Sequence, residues 1–241
     1  MKTIKLFSPF RAGSNLVKAG IEHNCSKLQV LNTGEKHWKH SFFAASPNYD
    51  AYIFCVRHPL DLACAIRRYY FENGRNILMD AEWESFFSKK IAIFDQTSKT
   101  IRSPILYPTI FDLINAWYFN YNSILSKKKI KSSLVRYERL IANQGQEITS
   151  SLKKISMARY VDDEFKPITS KTKNMGDDRY IQSSKRKNNF SDKITSIRLN
   201  CGFSSEEVSR QLTNEQKHFA EQSIDWVIMK KIGYIPSGLM D

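Results

Sequence analysis

Apolar positions along this chain change period repeatedly, and the changes mark out its elements. Lys5-Leu6-Phe7 reads as a short strand that gives way to a turn from Ser8 to Ser14. Leu16, Val17, Ala19, Gly20 and Ile21 then recur at the spacing of one helix face. Lys27-Leu28-Gln29-Val30-Leu31 reads as a second short strand. Tyr52-Ile53-Phe54-Cys55-Val56 is continuously apolar, as expected of a parallel strand buried on both faces. It stops at Arg57-His58-Pro59. A helix opening at Asp61 continues through Leu62, Ala63, Ile66 and Tyr69.

Residues 74–108 read as an insertion, with one amphipathic piece from Trp83 to Ile93 and a polar loop ending at Pro104 and Pro108. An apolar helix from Phe111 to Leu125 carries Trp117. Ser133 to Glu138 reads as another strand, and a helix follows over Gln146 to Met157. Residues 162–193 are polar, basic and weakly periodic, which predicts a mobile loop. The last helix spans Asn214 to Lys231, capped at Thr213 or Asn214 and ended before Gly233. Apolar strands alternating with amphipathic helices predict one three-layer α/β/α domain over residues 1–241, with a short, mostly parallel sheet.

Charge narrows the partners. The 37 Lys plus Arg exceed the 24 Asp plus Glu, leaving +13. That balance favours anions: nucleotides, nucleic acid, acidic glycans or an anionic membrane surface touched peripherally. No run reaches the roughly 18 apolar residues of a membrane span, and no signal peptide is seen. The four cysteines, Cys25, Cys55, Cys64 and Cys201, form no C-x-x-C pair. Reduced thiols in a cytoplasmic protein are expected, with no metal site.

Three features fall at the ends of predicted strands: the Arg11–Ser14 turn, Arg57, and Arg136-Tyr137-Glu138. A parallel sheet would place them on one edge, where α/β proteins bind ligands. The first turn can cradle an anion. Gly13 lets backbone approach, Ser14 can cap the helix and offer a hydroxyl, Arg11 supplies a cation, and the helix dipole points the same way. The G-x-x-x-x-G-K-[ST] spacing of a Walker loop is absent. An ordinary strand-to-helix turn with a surface Arg is the competing reading of this stretch alone.

Five segments in order resemble the 3′-phosphoadenylyl-sulfate (PAPS)-dependent sulfotransferase family over nearly the whole chain. Phe10-Arg11-Ala12-Gly13-Ser14-Asn15-Leu16 is similar to its 5′-phosphosulfate loop, Val56-Arg57-His58-Pro59-Leu60-Asp61 to its 3′-phosphate motif, and Arg136-Tyr137-Glu138-Arg139-Leu140 to its R-Y-E-D-L. Lys185-Arg186-Lys187 resembles its late R-K-G, and Leu212-Thr213 through Gly233-Tyr234 its closing helix and L-G-Y. Departures are Ala65 where the family has a Ser eight residues after the Arg, Leu16 for an adenine-stacking Trp, Asn188 for the R-K-G glycine, and Arg11 for a Lys. Arg11 points to the carbohydrate-type or bacterial branches.

The resemblance implies a P-loop NTPase-like sulfotransferase fold. PAPS would be the sulfuryl donor and adenosine 3′,5′-bisphosphate (PAP) the product. Donor contacts would come from residues 11–16, from Arg57 and position 65, from Tyr137 near the adenine, and from Lys185, Arg186 and Lys187. Sulfuryl transfer needs cations on the nonbridging and leaving oxygens and a base for the attacking hydroxyl. Arg11 and Lys36 or Lys39 would supply the cations. His40 or His37 would be the base. The acceptor would be a saccharide, glycolipid or small hydroxylated metabolite, lined by the insertion, the 162–193 segment, Trp83, Tyr107 and Trp117. Two other classes stand beside this one: a family member that binds nucleotide without transfer, and a basic polyanion-binding protein, although no nucleic-acid motif is seen.

Overall fold

The computed structural model describes residues 1–31, 39–42, 48–72, 83–88, 90–93, 105–168 and 212–236. Its elements are β1 (Lys2–Phe7), α1 (Ser14–Asn24), β2 (Leu28–Leu31), β3 (Ala51–Val56), α2 (Pro59–Glu72) and α3 (Trp83–Ser88). After them come β4 (Ile91–Ile93), β5 (Ile105–Tyr107), α4 (Ile110–Leu125), β6 (Ser132–Arg136), α5 (Tyr137–Ala142) and α6 (Gln144–Lys154). A short 3₁₀ turn (Ala158–Tyr160) precedes α7 (Asn214–Ser223) and α8 (Trp226–Lys231).

Four strands form one parallel sheet in the order β2-β1-β3-β6. All six residues of β3 are buried, which explains its unbroken apolar run. From β1 the chain crosses through α1 to β2 on one side. From β3 it crosses through α2 and α4 to β6 on the other. Right-handed crossovers in opposite directions put their helices on opposite faces. Accordingly α1 packs with α6, and α2 packs with α4. The order reverses between β1 and β3, and the C-terminal ends of the strands at such a reversal are where open α/β sheets bind ligands.

Several boundaries differ from the sequence reading. Helix α2 starts at Pro59, whose fixed φ suits a first helical position. Tyr137 and Glu138 open α5 and do not extend β6. The amphipathic piece from Trp83 is a helix followed by β4, which pairs antiparallel with β5. The C-terminal helix is two helices, because Ile224 is extended and Asp225 caps a new start through the amides of Val227 and Ile228. Thr109 and Thr213 each head a capping box, on α4 and α7.

The start of the expected mobile loop is anchored. The Asn24 side-chain amide donates to the Lys166 carbonyl at 3.0 Å and accepts from the Lys166 amide. Gln144 does the same at Ile168, at 3.0 and 2.9 Å. Two side-chain amides thus imitate strand pairing and tie 166–168 to α1 and α6; residues 169–193 lie outside the described residues. No helix among the described residues is long and apolar enough to cross a membrane.

Candidate anion site at the ends of β1 and β3

The β1–α1 turn is shaped by backbone. Arg11 has φ 66° and Gly13 φ 89°, so the chain turns twice through the left-handed region. Gly13 is the N-cap of α1 and has no side-chain cap. Ser14 is the first helical residue, which corrects its expected role as the cap: the cap position needs a positive φ that serine rarely adopts. Helix α1 therefore begins without a side-chain hydrogen bond capping its N-terminus, where the dipole favours an anion.

Tyr137 explains why residue 13 is glycine. A Cβ there would lie 2.4 Å from Tyr137 Cδ2 and 2.9 Å from Cε2, so the ring rests on the glycine. The same ring stacks on Arg57, whose Cζ is 4.5 Å from its centroid. Arg57 is only 4% exposed. Strands β1, β3 and β6 thus deliver Gly13, Arg57 and Tyr137 to one place, as the strand-end pattern predicts.

The turn after β3 is fixed from two sides. Tyr118 of α4 accepts from the Arg57 amide at 3.0 Å and donates to the Arg57 carbonyl. Glu138 of α5 accepts from the His58 amide at 2.8 Å. Burial pushes the Asp61 carboxyl up to about 7, with Glu138 adding to the rise and Arg57 opposing it. Burial also pulls the His58 imidazole down to about 4, with Arg57 adding and the Ile235 carbonyl opposing.

Lys39 and His40 run beside the first turn, held by the Ser8 amide donating to the Lys39 carbonyl at 2.7 Å. Lys39 Nζ donates to Asn15 Oδ1 at 2.7 Å, which keeps this cation at the start of α1. His40 Nδ1 lies 2.8 Å from the Ser8 carbonyl, which can only accept, so Nδ1 carries the proton and Nε2 the lone pair. Phe10 stacks on the imidazole with centroids 4.3 Å apart, and Trp117 Nε1 donates to the His40 carbonyl at 3.2 Å. Burial holds the His40 pKa far below its ordinary value, helped by Lys39 and Arg11 and opposed by the Ser8 and Pro9 carbonyls.

Of the other candidates, Arg11 is exposed at the mouth of the turn, Ala12 is buried, and its carbonyl accepts from the Cys55 thiol at 2.7 Å. Leu16 and Ala65 are buried apolar residues whose side chains have no polar group to give a ligand. Cys25, Cys55 and Cys64 are buried thiols. Lys36, His37, Lys185, Arg186 and Lys187 lie outside the described residues. No group of His, Cys, Asp and Glu able to hold a metal ion is found among the described residues.

Nothing in the sequence alone marks Tyr118, Glu138 or Asp61 as a site residue. Glu138 and Asp61 stand inside the motifs, but the role of Glu138 depends on His58 and Tyr234, 80 and 96 residues away. Tyr118 is one more aromatic residue in an apolar helix, and nothing local marks it.

No family model, curated protein or solved structure matches this chain.

Proposed function

We propose that the chain is a sulfotransferase that uses 3′-phosphoadenylyl sulfate and transfers its sulfuryl group to an acceptor hydroxyl. The observation that carries the reading is the Tyr137 ring lying between Gly13 and buried Arg57 at the point where the strand order reverses. An α-helix N-terminus without a side-chain cap, Arg57, Arg11 and Lys39 form the donor set that a bis-anionic nucleotide fits. Arg57 and the turn amides would hold its phosphates, and Tyr137 would border its base. The bound donor supplies an activated sulfuryl group.

The chain's own residues then bind, orient and take a proton. Arg11 sits at the exposed mouth of the turn, where a cation meets negative charge as it develops on oxygen. His40 is held neutral with Nδ1 protonated, so Nε2 is the atom that would accept the acceptor's proton. Part-buried Phe10, Phe42 and Tyr107 lie along the same side; Phe42 is 6.4 Å from Tyr107 and 6.5 Å from Trp117. Such a wall suits the apolar face of a sugar or another ring-bearing acceptor. This assignment of fold is to the P-loop-like sulfotransferase type within the α/β class.

One observation favours a second reading, nucleotide binding without transfer. His40 is only 8% exposed and Phe10 stacks on its ring, so little of it is open to an acceptor. Incubation with donor labelled in the sulfuryl group and a panel of saccharide and phenolic acceptors tests both. Labelled product supports the enzyme. Tight PAP binding with no product on any acceptor favours the second reading, and no PAP binding overturns both.

A further inference from the structure

The C-terminal segment reaches the Arg57 turn through one carboxylate. Glu138 Oε1 accepts from the His58 amide at 2.8 Å, and Oε2 accepts from the Tyr234 hydroxyl at 2.9 Å. Tyr234 is 7% exposed. Its ring stands edge-on to the His58 ring at 5.6 Å, and Trp226 approaches from α8 at 6.1 Å. Arg136, two residues before Glu138, donates from Nη1 to the Gly233 carbonyl at 2.8 Å. Gly233 has φ 89°, which favours glycine, and a Cβ there would lie 2.2 Å from that Nη1 and push the guanidinium away. Two adjacent contacts thus fasten residues 233–234 to the end of β6 and the start of α5, and the second continues into the turn that carries Arg57.

We propose that Glu138 and Tyr234 form a clasp that positions Arg57, so that the C-terminal segment belongs to the anion site without touching the ligand. The proposal rests on the reading of the Arg57 turn as a phosphate site. Glu138 is a positioning residue: it fixes the amide after Arg57, while Tyr118 fixes the amide and carbonyl of Arg57 itself. A side chain stacked on Tyr137 presents its cation in one direction only if that backbone does not rock.

Wild type, Tyr234→Phe, Glu138→Ala, Glu138→Gln and the Tyr234→Phe/Glu138→Ala double variant would be titrated with PAP by calorimetry, with amide exchange at His58 measured in each. Glu138→Ala is expected to weaken PAP binding about tenfold and Tyr234→Phe about threefold. Glu138→Gln recovers most of the loss, because its amide can accept from His58 and donate to the Tyr234 oxygen. The double variant binds no more weakly than Glu138→Ala, since both changes break one link. The His58 amide exchanges about fivefold faster in Tyr234→Phe. Losses that add in the double variant, or unchanged affinity and exchange in folded Tyr234→Phe, overturn the clasp. If Glu138→Ala does not fold, Tyr234→Phe decides by the same two readouts. If wild type fails to bind PAP, the nucleotide reading falls, and the clasp is still judged by His58 exchange in Tyr234→Phe.

Discussion

The two turns at the C-terminal ends of β1 and β3 are built on opposite plans. After β3, side chains hold the backbone: Tyr118 takes the amide and carbonyl of Arg57, Glu138 takes the amide of His58, and the cation itself is buried. After β1, backbone geometry does the work. Arg11 and Gly13 adopt positive φ, α1 starts without a side-chain cap, and the Arg11 side chain is exposed. A cation fixed in advance loses little entropy when it binds and so serves recognition. An exposed cation on an uncapped turn can follow charge as it moves and so serves the reaction.

Removing His40 should have the largest effect on turnover, because it sits beside the adaptable turn and is the group that would take the acceptor's proton. Loss of a general base costs a factor of roughly 10² to 10⁴. His40→Ala should lower kcat by about that factor and leave PAP affinity nearly intact, as read by steady-state kinetics and calorimetry on the same preparation. Normal turnover in the variant would remove His40 from the reaction and leave the adaptable turn without its base.

The next effect is electrostatic and belongs to the rigid turn. Asp61 has a folded-state pKa of about 7 against an ordinary 3.8, because it is buried. Between those values the folded protein holds a proton that the unfolded chain has released. This contribution to stability is therefore full below about pH 4 and is lost as pH rises through 7. His58 acts with the opposite sign: its pKa falls from 6.5 to about 4, so stability is gained over that window as pH rises. Asp61→Asn isolates the first contribution. The variant should gain on wild type by on the order of 4 kcal/mol between pH 4 and pH 7, then run parallel above that. Urea unfolding at each pH reads it, and parallel curves throughout would show that Asp61 is ionised in the fold.

Arg57 and Arg11 sharpen the contrast directly. A charge-assisted contact to phosphate is worth about 1.5–3 kcal/mol, so Arg57→Ala should weaken PAP by more than tenfold. Arg11→Ala should reduce turnover more than it reduces PAP affinity, because it acts on charge that develops during transfer. Equal losses of affinity in both variants would mean that the two turns do the same job.

How much of this was readable in the sequence follows from range. The continuous apolar run at Tyr52–Val56 placed β3 to within a residue, and the spacing of Leu16 to Ile21 placed the inner face of α1 but not its end, since burial on both faces and on one face leave different periods. The placement of Gly13, Arg57 and Tyr137 on one edge followed from their positions at strand ends. Tyr137 as the first residue of α5 did not, because an apolar strand followed by Tyr-Glu carries no local stop signal. The pairing of β4 with β5 joins residues more than ten apart in an insertion with no hairpin turn signature, and periodicity is blind to it. The links that hold the rigid turn span 61 and 80 residues, so neither Tyr118 nor Glu138 could be assigned a partner before the fold was known.

The smallest effect tests whether the first turn tolerates change in its interior. Ser8 is fully buried, and its hydroxyl has no hydrogen-bond partner among the described residues. A buried hydroxyl without a partner costs about 1–3 kcal/mol of desolvation, whereas the methyl of alanine keeps most of the volume and has nothing to satisfy. The Ser8 amide and carbonyl, which hold Lys39 and His40, are untouched by the change. Ser8→Ala should therefore be neutral to stabilising, by up to about 1 kcal/mol in urea unfolding, with PAP affinity and kcat unchanged. Tyr118→Phe is the matching change on the rigid turn. It also removes a single oxygen, but that oxygen serves two backbone groups of Arg57, so it should destabilise by about 1–3 kcal/mol and weaken PAP. If Ser8→Ala instead costs stability and Tyr118→Phe does not, the division between a backbone-built turn and a side-chain-built turn is wrong.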